Sequence, residues 1–170
     1  IEDWRNSNRV STLYLDDLTL ATDEPPSDPR QWTDDAMLDL VSHRAFSYFL
    51  RFTDDLGFAL DRSTFSDMVS VGTIGFQLTA YCIGHQRGWA NRQDLEARVV
   101  HILRNLNELP MGPETGTTSA GHRGFYYHFL AANTGRGKDN HVELSLYDTM
   151  LLMYGALTCK KYFSSNAEIQ

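Results

Sequence analysis

The stretch "HVELSLYDTMLLMYGALTCKKYF" (His141–Phe163) decides the fold because it predicts a long helix with a defined start. Ser145 is followed three residues later by Asp148, the spacing of a capping box, and apolar residues continue to Phe163. If Glu143 and Asp148 were both helical, five residues at about 100° each would separate them by about 140°. We therefore predict Glu143 in the preceding loop and Asp148 in the first turn.

Both carboxylates keep two interpretations at this point. Asp148 is either the acid of the capping box or a functional group, since the cap alone explains its place. Glu143 is either a solvated loop acid or a carboxylate that enters a cleft. The sequence pattern does not choose between them.

Three further long helices are predicted upstream from apolar periodicity and capping residues. The first begins after Thr33, the second runs from about Met68 to Arg87 and stops at Gly88, and the third is capped by Asn91 and ended by Pro110. We expect "GTIGF" (Gly72–Phe76) to serve packing. The first helix should turn one apolar stripe to the core: Met37, Val41, Ala45, Tyr48, Phe49 and Phe52.

A long insertion separates the third and fourth helices. Residues 111–124 are predicted to form a flexible loop, and residues 124–137 a short hairpin that turns at Asn133–Gly135. Structured loops between helices are a usual place for binding groups.

The amino-terminal part has a different pattern. "STLYLDDLTLAT" (Ser11–Thr22) predicts one strand, which needs a sheet to satisfy its backbone, and "DEPPSDPR" (Asp23–Arg30) predicts a linker stiffened by proline. "LYLDDLTL" resembles the closing strand of β-sandwich carbohydrate-binding modules. We therefore expect the tail of one domain in residues 1–22, a linker in 23–33 and a helical domain in 34–170.

Composition excludes several classes of partner. The 170 residues carry a formal charge of -7 and a pI near 5.2, which argues against nucleic acid or an anionic membrane as the main partner. No apolar run approaches the roughly 20 residues of a membrane span, so no membrane insertion is predicted. We expect Cys82 and Cys159 to be buried free thiols, with a disulfide as the alternative. No metal or cofactor motif is present, and we predict neither metal nor cofactor.

The candidate chemical groups are carboxylates, histidines and aromatics near the loops, a set that suits carbohydrate. Asp67, just before the predicted second helix, is either functional or an acid favoured by the helix dipole. His128 and its neighbouring tyrosines either pack the hairpin or contact a sugar. The full set is Asp61, Arg62, Asp67, His122, Arg123, Tyr126, Tyr127, His128, Glu143 and Asp148.

Five stretches, in order, resemble one family of domains. They are "MLDLVSHRAFSYF" (Met37–Phe49), "DRS" (Asp61–Ser63), "DMVSVGTIGFQLTAYCIGHQRGW" (Asp67–Trp89), "RGFYYHFLAANTGR" (Arg123–Arg136) and "ELSLYDTMLLMYGALTCKKYF" (Glu143–Phe163). From Asp34 to Phe163 the chain is similar to the glucoamylase-like domain of bacterial β-1,2-glucanases and cyclic β-1,2-glucan synthases. It departs from that pattern at Leu146-Tyr147 and in a long loop over residues 111–122.

The resemblance implies a mainly α fold, an (α/α)6 toroid that encloses a sugar cleft. With about four long helices, a β-hairpin insertion and a short amino-terminal β segment, the chain would be the first part of such a toroid. It would belong to a bacterial enzyme that hydrolyses or transglycosylates β-linked glucan, with β-1,2-glucan favoured, by carboxylate acid/base catalysis. We favour a periplasmic or secreted location, which the sequence does not fix.

The resemblance also implies site residues and partners. The catalytic candidates are Asp148, Glu143 and Asp67, and the candidate sugar contacts are Arg62, Tyr127 and His128. The partners would be an oligo- or polysaccharide and the rest of the same polypeptide. We expect the isolated fragment to be inactive.

Two other functions remain open. A non-catalytic glucan-binding or scaffold domain would use the aromatics for sugar and the acids for structure. A lyase on a similar toroid would use Tyr127 and His128 together as its catalytic base.

Overall fold

The computed structural model describes residues 28–112 and 116–170, and the chain divides after Leu38 into two compact units. The predicted strand Ser11–Thr22 and the first residues of the predicted linker lie outside the described residues. In the first unit, Pro29–Gln31 form a 3-10 turn and Arg30 pairs with Asp28 at 2.8 Å. Thr33 accepts a hydrogen bond from the Ala36 amide at the predicted helix start.

The described residues contain four α-helices and six short strands. The helices are α1 (Asp34–Arg51), α2 (Val71–Gln86), α3 (Arg92–Glu108) and α4 (Leu146–Tyr162). The strands are β1 (Leu60–Arg62), β2 (Phe65–Ser70), β3 (Gly121–His122), β4 (Phe125–Tyr126), β5 (Phe129–Ala131) and β6 (Arg136–Gly137). They form an antiparallel sheet of order β1-β2-β5-β6 and a separate β3-β4 hairpin.

The closest helix contact joins α2 to α4. A Cβ added to Gly75 would overlap the backbone of Leu151, and one added to Gly155 would overlap the backbone of Gly75. Contacts run in the same direction along both helices, from Gly72 beside Asp148 to His85 beside Tyr162, so α2 and α4 are parallel. The packing role predicted for "GTIGF" is confirmed, because only glycine permits this approach of the two backbones.

The apolar stripe predicted for α1 is wrong at its first positions. Val41 is 55% exposed and Met37 is also exposed, whereas Phe46, outside the predicted stripe, is the buried residue of this helix. The physical reason is Gly84 on α2, whose missing side chain leaves a notch that the Phe46 ring fills. The periodicity identified a helix but not its buried face.

The predicted starts of α3 and α4 are confirmed. Asn91 accepts a hydrogen bond from the Asp94 amide at 2.8 Å, and Ser145 accepts one from the Asp148 amide at 3.1 Å. The buried face of α3 consists of Leu95, Val99, Ile102 and Leu106. Burying one such side chain is worth about 1.5–3 kcal/mol.

The start predicted for the second helix is wrong by three residues. Residues Met68, Val69 and Ser70 pair with β5 and belong to β2, and α2 begins at Val71. Sheet pairing prevails here because Val69 is fully buried and its backbone groups are satisfied by the neighbouring strands. Asp67 is therefore a strand residue, and the helix-dipole explanation for it is wrong.

The insertion contains two hairpins, one more than the sequence predicts. The predicted turn at Asn133–Gly135 is confirmed between β5 and β6. The second hairpin, β3-β4, lies partly in the predicted flexible loop and turns through Arg123 and Gly124, both with positive φ. This two-residue turn matches the right-handed twist of the strands.

The cysteine prediction is confirmed, since Cys82 and Cys159 are both buried free thiols. They face each other across the α2/α4 contact with their sulfur atoms 3.7 Å apart. Cys159 also donates to the carbonyl oxygen of Leu78.

No helix in the described part of the chain is long and apolar enough to cross a membrane.

One face of α4 is apolar and exposed. The exposed α4 residues, together with Phe125 of β4, line an open groove of about 390 Å³. They include Leu146, Met150, Met153, Tyr154 and Leu157.

This exposed face generates a prediction for the 170 residues expressed alone. An uncovered apolar surface of several hundred Å² forfeits several kcal/mol at about 25 cal/mol per Å², a large part of the roughly 5–15 kcal/mol stability of a domain. We expect aggregation or a molten state, measured by gel filtration and near-ultraviolet circular dichroism. A monomer with a sharp cooperative melt would contradict this expectation.

A second prediction concerns the α2/α4 contact. Gly155→Ala in the full-length protein should destabilise by about 1–3 kcal/mol, because the new methyl group meets the Gly75 carbonyl and overpacking costs more than helix propensity gains. Thr158→Ala, at an exposed position of the same helix, is the control and should lie within about 0.5 kcal/mol of wild type. Denaturant unfolding measures both, and equal stabilities would contradict the proposed contact.

Candidate functional site

Three backbone segments lie side by side where α2 and α4 begin. The amide of Val71 donates to the carbonyl of His128, and the amide of His128 donates to the carbonyl of Glu143. The amide of Ser145 donates to the carbonyl of Tyr126. Residues 126–128 are therefore bonded on one side to the start of α2 and on the other to the segment that precedes α4.

The His128 side chain lies between two of the predicted catalytic acids. Its Nδ1 atom is 2.7 Å from Glu143 Oε1, and its Nε2 atom is 3.9 Å from Asp148 Oδ2. The ring stacks on Phe129 with centroids 3.8 Å apart. The structure thus brings three predicted site residues, His128, Glu143 and Asp148, into one cluster.

Asp148 sits at the start of two parallel helices. It occupies the first turn of α4, and a Cβ added to Gly72, in the first turn of α2, would lie 2.5 Å from its Oδ1 atom. The positive ends of both helix dipoles therefore point at this carboxylate. The Ser145 hydroxyl donates to Oδ2. A side chain at position 72 would displace the Asp148 carboxylate, and this is a site role for Gly72 that the sequence did not reveal.

The capping interpretation of Asp148 can be compared with a matched position on α3. Asp94 follows its cap Asn91 by the same three residues, and Asn91 Nδ2 donates to the Asp94 carboxylate. Asp94 is exposed, whereas the Asp148 side chain is only 13% exposed and faces His128. Only half of the predicted capping box is present. The Asp148 amide donates to the Ser145 hydroxyl, but the Ser145 amide donates to the Tyr126 carbonyl and not to the Asp148 carboxylate. Capping therefore explains the position of Asp148 but not its burial against a histidine.

Glu143 lies in the loop before α4, as predicted, and its side chain is 64% exposed. Two hydrogen bonds, first from its own backbone and then from His128, lower the pKa of this carboxyl below its ordinary value of 4.5. Glu143 is thus fixed towards the cluster although solvent surrounds most of it.

Asp67 does not join this cluster. It lies on β2, three residues before Ser70 and so about 10 Å along the strand from the start of α2. Lys138 donates to its carboxylate at 2.6 Å, and this hydrogen bond lowers the pKa of Asp67. Arg62 lies towards the same end of the sheet, pairs with Asp61 at 2.9 Å and also lowers the pKa of Asp67. These residues form a second charged group, and Lys138 is the member that the sequence did not suggest.

Tyr127 is placed in the core. It is 2% exposed, and its backbone forms a bridge with Leu144. The ring does not reach the surface that His128 and Glu143 share. Tyr147, the residue before Asp148, is an aromatic residue that is 72% exposed.

The cluster has the parts needed for proton transfer. Two carboxylates and an imidazole can hold, donate or accept a proton near a reacting oxygen. No group of three His, Cys, Asp or Glu side chains within residues 28–112 and 116–170 is arranged to hold a metal ion. A separate open groove of about 580 Å³, lined mainly by α3 together with Leu50, Gly57 and Tyr81, includes none of the six predicted site residues.

Comparison with known proteins gives two relatives named for β-1,2-glucan and one glucoamylase-like neighbour. The chain is 27% identical over 140 residues, 78% of its length, to an exo β-1,2-glucooligosaccharide sophorohydrolase (non-reducing end) of Parabacteroides distasonis. A β-1,2-glucanase structure from the same organism is 26% identical, with a TM-score of 0.63 over 81% of the chain. A glucoamylase-like protein of Bacteroides fragilis is 27% identical, with a TM-score of 0.66 over 85%. No family model matches the chain.

These structural neighbours confirm the predicted resemblance and fold class. The chain is mainly α-helical and corresponds to part of the glucoamylase-like toroid. It spans 18% of the sophorohydrolase, 19% of the β-1,2-glucanase and 35% of the Bacteroides fragilis protein.

The lowered pKa of Glu143 generates a prediction for stability against pH. Hydrogen bonds that lower the pKa of a carboxyl group stabilise the fold at pH values above its ordinary pKa. This stabilisation is lost as the pH falls through the lowered pKa. The melting temperature of Glu143→Gln should therefore lie below that of wild type at neutral pH and converge with it below about pH 4. Thermal melts of both full-length proteins across this range provide the measurement, and a constant difference at every pH would contradict the interpretation.

Proposed function

We propose that this chain is part of a glycoside hydrolase that acts on β-1,2-linked glucan, with Asp148 and Glu143 as its acid/base carboxylates. The observation that carries the proposal is the cluster at the start of α4. There, two of the three acids singled out from sequence meet one histidine at 2.7 and 3.9 Å.

The chemistry of glycoside cleavage fits this arrangement. A carboxylic acid protonates the leaving oxygen while a second carboxylate acts on the opposite side of the sugar, so the two groups must be close but not in contact. The His128 ring lies between Glu143 and Asp148 and keeps them apart. The Asp148 side chain is nearly enclosed and Glu143 is largely exposed, so their environments differ as those of an acid and a base do.

The relatives support the choice of substrate. The sophorohydrolase and the β-1,2-glucanase of Parabacteroides distasonis both act on β-1,2-linked glucose, and the similarity covers most of this chain. We propose hydrolysis as the reaction, with transglycosylation as the alternative outcome on the same acid/base pair. The proposed partner is the rest of the toroid on the same polypeptide.

Arg62 and Asp67 have a different place in the proposal. Their charged group with Lys138 lies towards the other end of β2, where it would contact sugar units away from the cleaved bond. Tyr127 has no role at the surface in this proposal, since its ring is buried.

The test compares the two acids that occupy the same position after a helix cap. In the full-length protein with linear β-1,2-glucan as substrate, Asp148→Asn should lower kcat by about 10²–10⁴, the usual worth of acid/base catalysis. Asp94→Asn changes the equivalent acid of α3 and should leave kcat unchanged. Product analysis by chromatography gives the rates, and thermal melts give the stabilities.

The paired variants separate catalysis from capping. Similar small losses of stability in both proteins, with turnover lost only in Asp148→Asn, would support the proposal. Unchanged turnover in Asp148→Asn with a lower melting temperature would leave Asp148 as a cap only. Glucan binding without turnover by the wild-type protein would favour the non-catalytic binding domain.

A further inference from the structure

We infer that His128 is a positioning residue that fixes the Glu143 carboxylate through Nδ1 and keeps Nε2 turned towards Asp148. One imidazole ring would then set the separation of the two acids. The catalytic consequence rests on the proposed function. This role differs from the sugar contact that the family resemblance implies for His128.

The His128 ring is fixed from several directions. Its backbone amide and carbonyl are both bonded, to Glu143 and Val71. The ring is stacked on Phe129 with an interplanar angle of 18°. A ring restrained at its backbone, its face and one nitrogen has little freedom left to adapt to a ligand.

The bond to Glu143 determines which nitrogen carries the hydrogen. An ionised carboxylate only accepts hydrogen bonds, so Nδ1 must be the donor at 2.7 Å. In the neutral ring, Nε2 is then an acceptor. Nε2 lies 3.9 Å from Asp148 Oδ2, which is too far for a hydrogen bond. It is nevertheless the ring nitrogen that faces this carboxylate, and it can carry a proton.

Glu143 needs such a restraint. Its side chain is largely exposed and belongs to a loop, where a long acidic side chain samples many rotamers. The bond to His128 Nδ1 selects the conformation in which the carboxylate meets the imidazole ring. Without that bond, the Glu143 side chain should sample several rotamers, while its carboxylate stays chemically intact.

Two substitutions separate the roles of the ring nitrogens. His128→Asn places an amide near the position of Nδ1 and nothing near Nε2. His128→Gln reaches the position of Nε2 and leaves that of Nδ1 empty. We expect His128→Gln to lower kcat on linear β-1,2-glucan by about 10–100-fold, as loss of a supporting residue does elsewhere, with little change in KM, and His128→Asn to restore most of the rate.

A double substitution tests the dependence on Glu143. If His128 acts through Glu143, His128→Gln with Glu143→Gln should be no slower than Glu143→Gln alone. If His128 instead contacts sugar, both His128 variants should raise KM and the effects should multiply. That second result would overturn the inference and leave the proposed function standing.

Thermal melts of the same four full-length proteins provide a readout that needs no activity. Glu143→Gln only weakens the bond, because the amide oxygen still accepts from Nδ1, whereas His128→Gln removes it. The double variant should therefore melt no lower than His128→Gln alone. His128→Asn should melt closer to wild type. If the wild-type protein does not cleave β-1,2-glucan, the proposed function fails, and additive decreases in these melts would overturn the positioning role separately.

Discussion

The backbone contact between Gly75 and Gly155 is the constraint on which the described structure depends. Two helices that touch through their main chains can tolerate no side chain at the crossing, and they are fixed in both direction and register. Because α2 and α4 are parallel and in this register, their first turns lie together and Asp148 comes to rest over Gly72. A shift of one helical turn, about 5.4 Å, would remove that acid from the site.

The hydrogen bonds of residues 126–128 complete the same arrangement from the other direction. They connect the end of β2 to the segment before α4, so the two helix starts are joined by backbone as well as by packing. His128 belongs to this connection, which explains how a residue of a long insertion reaches two acids that lie far from it in sequence. The same hydrogen bonds therefore position both the two helices and the His128 ring.

Sequence patterns predicted what depends on local chemistry. Asn91 and Ser145 cap helix starts through their own side chains. The glycines of α2 indicated a packing role. The buried face of α1 and the start of α2 were missed because both depend on distant partners, namely Gly84 for Phe46 and β5 for Met68–Ser70. For the site, the acid types were predictable, but the separation of Asp67 from Asp148 follows from strand pairing that no local pattern shows.

We propose that the first turns of α2 and α4 form the reacting end of a glucan cleft. A crystal structure of full-length Asp148→Asn with a β-1,2-gluco-oligosaccharide tests it most directly. We expect a glycosidic oxygen within about 3 Å of residue 148 or of Glu143, the distance that proton transfer requires. Sugar bound elsewhere, with His128, Glu143 and residue 148 covered by packed protein, would contradict it.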